Sequence, residues 1–372
     1  MKKTVLISGA GVAGLTAAHW LHRHGYAPTV VERAPALRPG GQAVDVRGVA
    51  LDVLDRMDLL AGARRLRTTT RGMSMLDAEG TEQWRSTELT LSAGRLDSDD
   101  VEVLRDDLTA LLHSSAQDGV EYLFGDAVTA LDQDDDGVRV TFRDAAPRTF
   151  DLVVGADGLH SAVRRLAFGP EERFVHHLGS YVGVFSTDNF LGLDDWQVWV
   201  HDDSRTASYC LYPARANTEL RATLGFAADP LDHDRHDVGR QKALLAERLG
   251  GLGWETPKVL DALRAAPDFY FDAMAQVRMD AWWHGRVVLV GDAAHCPSPL
   301  SGQGSSLALV GAYVLADELA RSDDHRAALA RYDARMRPFV AVNQALATEN
   351  PGQGASEESM ERAKHAISLD LS

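Results

Sequence analysis

The stretch Gly9-Ala10-Gly11-Val12-Ala13-Gly14 constrains the fold of this chain more than any other. An apolar strand over residues 4–8 leads into it, a helix over 15–24 closed by Gly25 follows, and a second strand over 29–31 ends at Glu32. The glycines have separable tasks: Gly9 permits a tight turn, Gly11 lets a pyrophosphate approach the backbone, and Gly14 lets helix and strand pack closely. With Val12 and Ala13 the turn opens a helix N-terminus, whose unpaired N–H groups and positive dipole end suit phosphate. Glu32, about 20 residues beyond the glycines, is placed to accept the hydroxyl hydrogens of an adenosine ribose. The unit predicts a dinucleotide-binding βαβ in a parallel sheet. By itself it does not separate NAD, NADP and FAD.

Length and charge narrow the rest. A chain of 372 residues is long for one small core, and two interleaved domains are expected. The net charge of −16 argues against bulk electrostatic binding of nucleic acid or an anionic membrane. Cys210 and Cys296 provide neither a disulfide framework nor metal-ligand spacing, so no metal is expected. Met1-Lys2-Lys3 before an apolar run superficially resembles a secretory signal, but glycines break the run. No uninterrupted apolar stretch approaches the ~18 residues of a membrane span. The expectation is a cytoplasmic protein, monomer or homodimer, that binds small molecules.

Two further constellations favour FAD among the dinucleotides. An apolar strand over 150–154 runs into Gly155-Ala156-Asp157-Gly158, exposing backbone and a carboxylate at a strand's C-terminal end, where open α/β sheets bind ligands. The alternative is a turn in which Asp157 caps the helix near Ser161. Near the far end, a strand over 287–290 delivers Gly291-Asp292-Ala293-Ala294-His295, then Pro297, Pro299 and Gly302-Gln303-Gly304-Ser305-Ser306, before a helix over 307–320. Asp292 is placed to accept hydrogen bonds from polyol hydroxyls, and that helix's N-terminus favours the negative edge of a reduced flavin. A fold returning to its ligand in this way suits a flavin dinucleotide gripped along its length. Between these elements, helices are expected over 49–60, 101–114, 241–249 and 257–265. Strands are expected over 120–131 and 138–142, and alternating stretches over 179–228 predict an antiparallel sheet.

Gly9–Gly14, Asp157-Gly158 and Gly291-Asp292, in this order, resemble the class A FAD-dependent aromatic hydroxylases, which include para-hydroxybenzoate hydroxylase and tetracycline-degrading and polyketide-tailoring monooxygenases. The resemblance covers about the first 340 residues. It implies an α/β fold: a Rossmann-like FAD-binding domain (1–72, 98–172 and 281–340), an inserted antiparallel-sheet substrate domain (73–97 and 173–280) and a C-terminal helical segment (341–372). It implies that Glu32 and Arg33 hold the adenosine part of FAD and that Arg105, in Arg-Asp-Asp-Leu, contacts the cofactor's middle. By the same resemblance Asp292 binds the ribityl and pyrophosphate region, and Asp157 lies where FAD and NADPH are both sensed. Arg47, after Gly40-Gly41, is the candidate for touching the nicotinamide cofactor or a moving ring. The implied activity is that of a single-component monooxygenase: NADPH or NADH reduces the flavin, O₂ adds as a flavin C4a-hydroperoxide, and one oxygen passes to an aromatic or polycyclic, polyketide-like molecule. Relatives often carry Asn where Ser306 stands and Asp where Gly311 stands.

Other residues divide between chemistry and packing. His295 reads as orienting its loop rather than as a base, and Cys296 has no second cysteine near it. Trp196, Tyr209 and Tyr212, with Pro299, are candidates for the substrate wall, although alternation sends half of a strand's residues into a packed interior. Trp282-Trp283 reads as core and the run from Asp97 to Asp100 as a solvated loop. A flavin oxidoreductase without oxygen transfer is the alternative activity, and a non-catalytic nucleotide-binding protein a third. A halogenase would need a Trp-x-Trp-x-Ile-Pro segment, which Trp196-Gln197-Val198-Trp199 does not continue.

Overall fold

The protein is described by a computed structural model covering residues 2–92, 94–232, 234–350 and 354–370. Pro351 and Gly352, expected to open the C-terminal tail, lie outside the described residues. Five parallel strands form the first sheet, in the order Val287–Leu289, Leu152–Gly155, Thr4–Ser8, Ala27–Glu32 and Glu121–Phe124, with Trp283–His284 antiparallel at one edge. Apart from Leu123 on the edge strand, their valines, leucines and Ile7 are almost wholly buried, as befits strands covered on both faces. The helix Val12–Arg23 packs against the long helix Gly304–Ala320, joining the first and last thirds of the chain.

A second, seven-stranded sheet runs Phe269–Val277, Val175–Asp188, Glu219–Ala227, Ala207–Ala214, Trp196–His201, Gly72–Leu76 and Glu82–Ser86. Its pairings are antiparallel except for that of Trp196–His201 with Gly72–Leu76. The helices Val238–Leu249 and Thr256–Ala265 bury one face through Leu245, Leu249, Val259 and Leu263. The other face meets the Ala43–Val46 and Val101–Leu104 ladder of the first unit through Leu104, Cys210 and Tyr212. A C-terminal helix, Glu357–Lys364, follows the 21-residue helix His325–Ala345.

Several expected elements are corrected. The helix expected over 101–114 is a strand, Val101–Leu104, followed by a helix, Arg105–Ser114, because Val101 and Val103 pair in register with Val46 and Val44. The helix expected over 49–60 ends at Arg56, and a second starts at Leu60. The strand expected over 120–131 divides at a turn into Glu121–Phe124 and Val128–Gln133. Among the described residues, no helix is long and apolar enough to cross a membrane.

Candidate functional site

Parallel register gathers four loops at one sheet edge. Ser8 stands beside Val31 and Gly155, and Gly155 beside Leu289, so the turn at Gly9, Glu32, the Asp157 loop and the Asp292 loop leave the sheet together. Gly9 (φ +105°) sits so close to the second loop that a Cβ would fall 2.4 Å from the Ala156 carbonyl oxygen. A Cβ on Gly14 would fall 1.9 Å from the Gly9 carbonyl oxygen, and one on Gly291 2.8 Å from the Ala13 Cβ. These glycines are therefore required by close packing.

Gly11 and Gly304 behave differently. A Cβ on either would meet no protein atom within 4 Å, so packing does not demand glycine there. Each lies at the start of a helix, Val12–Arg23 or Gly304–Ala320, whose N-cap makes no side-chain hydrogen bond. The first-turn N–H groups of both helices thus lack the side-chain partner that capping usually supplies. Ser305 lies in the first turn of the second helix and Gly302 (φ +63°) in the turn before it. Two uncapped N-termini, with glycines that leave space before them, fit an anionic elongated cofactor such as FAD.

Carboxylates surround this space. Glu32 Oε2 accepts from the Ala10 N–H and Oε1 from the Ala34 N–H, each at 2.9 Å, which fixes the carboxylate beside the glycine turn. Arg33 beside it is exposed. Asp157 accepts from the Ala162 N–H (2.8 Å), the Val163 N–H (3.1 Å) and the Ser161 hydroxyl, capping the helix Ala162–Phe168. Burial raises its carboxyl above the usual range, and these bonds oppose the rise. Asp292 reaches solvent at the N-terminus of a short helix, Asp292–His295, yet it is enclosed by protein mass that also raises its carboxyl. On the opposite side, Arg105 donates to the Gly40 carbonyl at 2.8 Å, and a Cβ on Gly41 would stand 2.5 Å from its Nε. Gly41 thus lets backbone approach the guanidinium, whereas a Cβ on Gly40 would stand 2.5 Å from Asp268 Oδ2.

Arg47 and Ser306 face inward. Arg47 is 5% exposed; its guanidinium bonds Asp45 (2.8 Å) and the Ser92 carbonyl, and packs against Gly302. It is not available to a diffusing nicotinamide cofactor. The Ser306 hydroxyl accepts from the Arg47 N–H at 3.0 Å and so ties the long helix to the Ala43–Val46 strand. Burial lifts the Asp45 carboxyl to about 7, against the pull of Arg47.

The structure separates the aromatic candidates from this space. The Tyr209 side chain is fully buried and bonds Thr256 at 2.9 Å under the helices. Trp196 donates to Ser74 with Arg85 stacked on its ring. Tyr212 is 3% exposed and accepts from the Ala43 N–H at 2.6 Å, between the sheets. Packing on both faces of the seven-stranded sheet buries Tyr209 and Tyr212, and Trp196 is half-buried against it. Pro299 remains exposed beside Leu300. An exposed aromatic near Asp292 and Arg105 is Tyr270, 43% exposed. Sequence reasoning missed it; its place in the alternation Phe269-Tyr270-Phe271-Asp272, opposite the two phenylalanines of the buried core, was the available signal.

His295 is fully buried with both ring nitrogens unpartnered, edge-on to Trp282, and burial lowers its pKa to about 3. Cys296 is buried and its thiol is held well up by burial. Neither ring nor thiol offers itself to an active site. Among the described residues no cluster has metal-ligand geometry.

Residues 2–346 match the family model described as FAD binding domain. An uncharacterised protein of Mycobacterium tuberculosis is 54% identical over 99% of this chain and 99% of its own. A flavin-dependent monooxygenase from an unknown prokaryotic organism is 38% identical over 99% of this chain and 98% of its own. The crystal structure of tetracycline destructase Tet(55) superposes with a TM-score of 0.88 at 36% identity, covering 100% of this chain and 99% of that one.

Proposed function

The chain belongs to the FAD-binding family of flavin-dependent monooxygenases, and from that premise we propose that it spends NADPH or NADH and O₂ to place one oxygen on an aromatic or polycyclic, polyketide-like molecule. The observation that carries this reading is that parallel register gathers four strand-end loops at one sheet edge, together with two helix N-termini that no side chain caps. Similarity to a tetracycline destructase supports a polycyclic substrate. The FAD-binding part comprises 1–72, 98–172 and 281–340, the substrate-binding part 73–97 and 173–280, and 341–372 caps them. The protein works in the cytoplasm as a monomer or homodimer.

Bound FAD supplies the redox and oxygen-activating chemistry. The residues bind, orient and exclude water. Glu32 and Arg33 would hold the adenosine end of FAD, and the N-terminus of Val12–Arg23 would receive the pyrophosphate. Arg105 and Asp292 would hold its middle. The N-terminus of Gly304–Ala320 would favour negative charge on the flavin, and Arg47 packs against the Gly302 turn before that helix. Asp157 fixes the loop that joins the two units. The substrate enters beside Tyr270, Pro299 and Leu300, under a sheet that keeps bulk water out. A screen of polycyclic aromatic compounds for faster NADPH oxidation tests the substrate class, with gain of one oxygen in the product as the expected result. Acceleration by none of them, or only by simple non-aromatic compounds, contradicts it. Acceleration without oxygen in the product would favour an oxidoreductase lacking oxygen transfer.

A further inference from the structure

A monooxygenase of this kind takes in one proton per turnover: substrate, O₂, NADPH and H⁺ give hydroxylated product, water and NADP⁺. Its cleft must admit that proton while excluding water. Tyr270 and Asp272, two apart on the strand Phe269–Val277, share the face opposite the packed Phe269 and Phe271. The Tyr270 hydroxyl donates to Asp272 Oδ2 at 3.2 Å. His160, in the loop after Asp157, crosses from the first sheet: Nε2 lies 3.0 Å from the same Oδ2 and Nδ1 3.0 Å from Glu171. The His160 side chain is one-third exposed. One hydrogen-bonded chain therefore runs from the exposed Tyr270 phenol, near Asp292, to the partly exposed His160 ring.

We propose that Tyr270, Asp272 and His160 form a proton inlet to the cleft, an inference that rests on the monooxygenase reading above. Tyr270 releases its hydroxyl proton to an acceptor in the cleft while its oxygen takes a proton from Asp272. Asp272 takes one from His160 Nε2, and water recharges the ring. One O–H or N–H bond forms for each that breaks, and no electrons move. The charged groups facing His160 are Glu171 and Asp272, with Arg235 against Nδ1 and Arg164 3.5 Å from Glu171. Burial disfavours the charged ring, but the bonds to Asp272 and Glu171 outweigh it and raise the pKa to about 9. The ring is thus a charged donor at neutral pH.

The test uses the FAD-loaded enzyme oxidising NADPH without substrate, which also consumes one proton per NADPH as peroxide forms. The inlet predicts that His160→Ala slows this oxidation about tenfold, that added imidazole restores at least half of the rate, and that the wild-type alkaline limb near pH 9 disappears. Tyr270→Phe slows it similarly without rescue. FAD affinity, read by fluorescence quenching, stays within twofold of wild type in both variants. In flavin-free protein, the His160 ring ¹⁵N signals stay doubly protonated at pH 7.5 and lose that state in Asp272→Asn. Loss of rate without imidazole rescue, or no loss at all, overturns the inlet while leaving the monooxygenase reading intact. If wild-type holoenzyme oxidises NADPH too slowly alone, the same variants are compared with a stimulating polycyclic compound present; wild-type holoenzyme that leaves NADPH unoxidised with and without every such compound overturns both.

Discussion

Glycines in one turn are constrained by different neighbours. Gly14 is excluded from bearing a Cβ by the Gly9 carbonyl, and Gly14→Ala is expected to cost about 1–3 kcal/mol in urea unfolding. Gly11→Ala meets no protein atom, so its unfolding should stay within about 0.5 kcal/mol of wild type while FAD affinity falls about tenfold or more. Equal destabilisation by both would show that Gly11 serves packing alone. His295 gives a pH prediction. Its folded pKa of about 3 lies below the ordinary 6.5, so the unfolded chain binds the extra proton. Stability is therefore lost as pH falls from about 6.5 toward 3. His295→Leu removes that term, and its acid unfolding midpoint should move to lower pH than wild type. Such contrasts mark what is legible in a sequence. Gly9, Glu32, Asp157 and Asp292 stand in fixed relation to strand ends, whereas Tyr270, exposed among buried phenylalanines, becomes distinctive only when the strand is placed.

The elements carry one device that patterning misread. Asp100 belongs to a run expected in a solvated loop, yet it is 8% exposed and accepts from the Gly48 N–H (3.1 Å) and Lys364 Nζ (3.0 Å). A Cβ on Gly48 would stand 2.5 Å from the Lys364 carbonyl oxygen. The C-terminal helix Glu357–Lys364 is therefore fastened to the start of the helix Val49–Arg56 by a buried ion pair. Lys364→Met strands the Asp100 carboxylate and should cost about 3 kcal/mol, with Asp100→Asn in the same chain restoring most of it, measured by chemical unfolding. Additive losses would contradict the pairing. The partners lie 264 residues apart, and no local pattern announces so distant a contact. The strand Val101–Leu104 was misread for a related reason: its ladder partner, Ala43–Val46, is also remote in sequence.

For the whole molecule, the α/β architecture with its parallel sheet and second sheet was legible because each strand-turn-helix signal sits in a short window. The placement of the second sheet on the first depends on side-chain alternation resolved only by packing, which is why Tyr209 and Tyr212 are buried and Trp196 half-buried. What the assembled molecule offers is a set of strand-end loops gathered at one sheet edge with two helix N-termini that carry no side-chain cap, and an exposed tyrosine near Asp292. The most direct measurement is turnover of FAD-loaded protein with NADPH and a stimulating polycyclic compound under ¹⁸O₂, followed by product mass spectrometry. Product carrying one ¹⁸O atom is the expected result. NADPH oxidation at the stimulated rate with all labelled oxygen in peroxide or water, and none in the organic product, would contradict it.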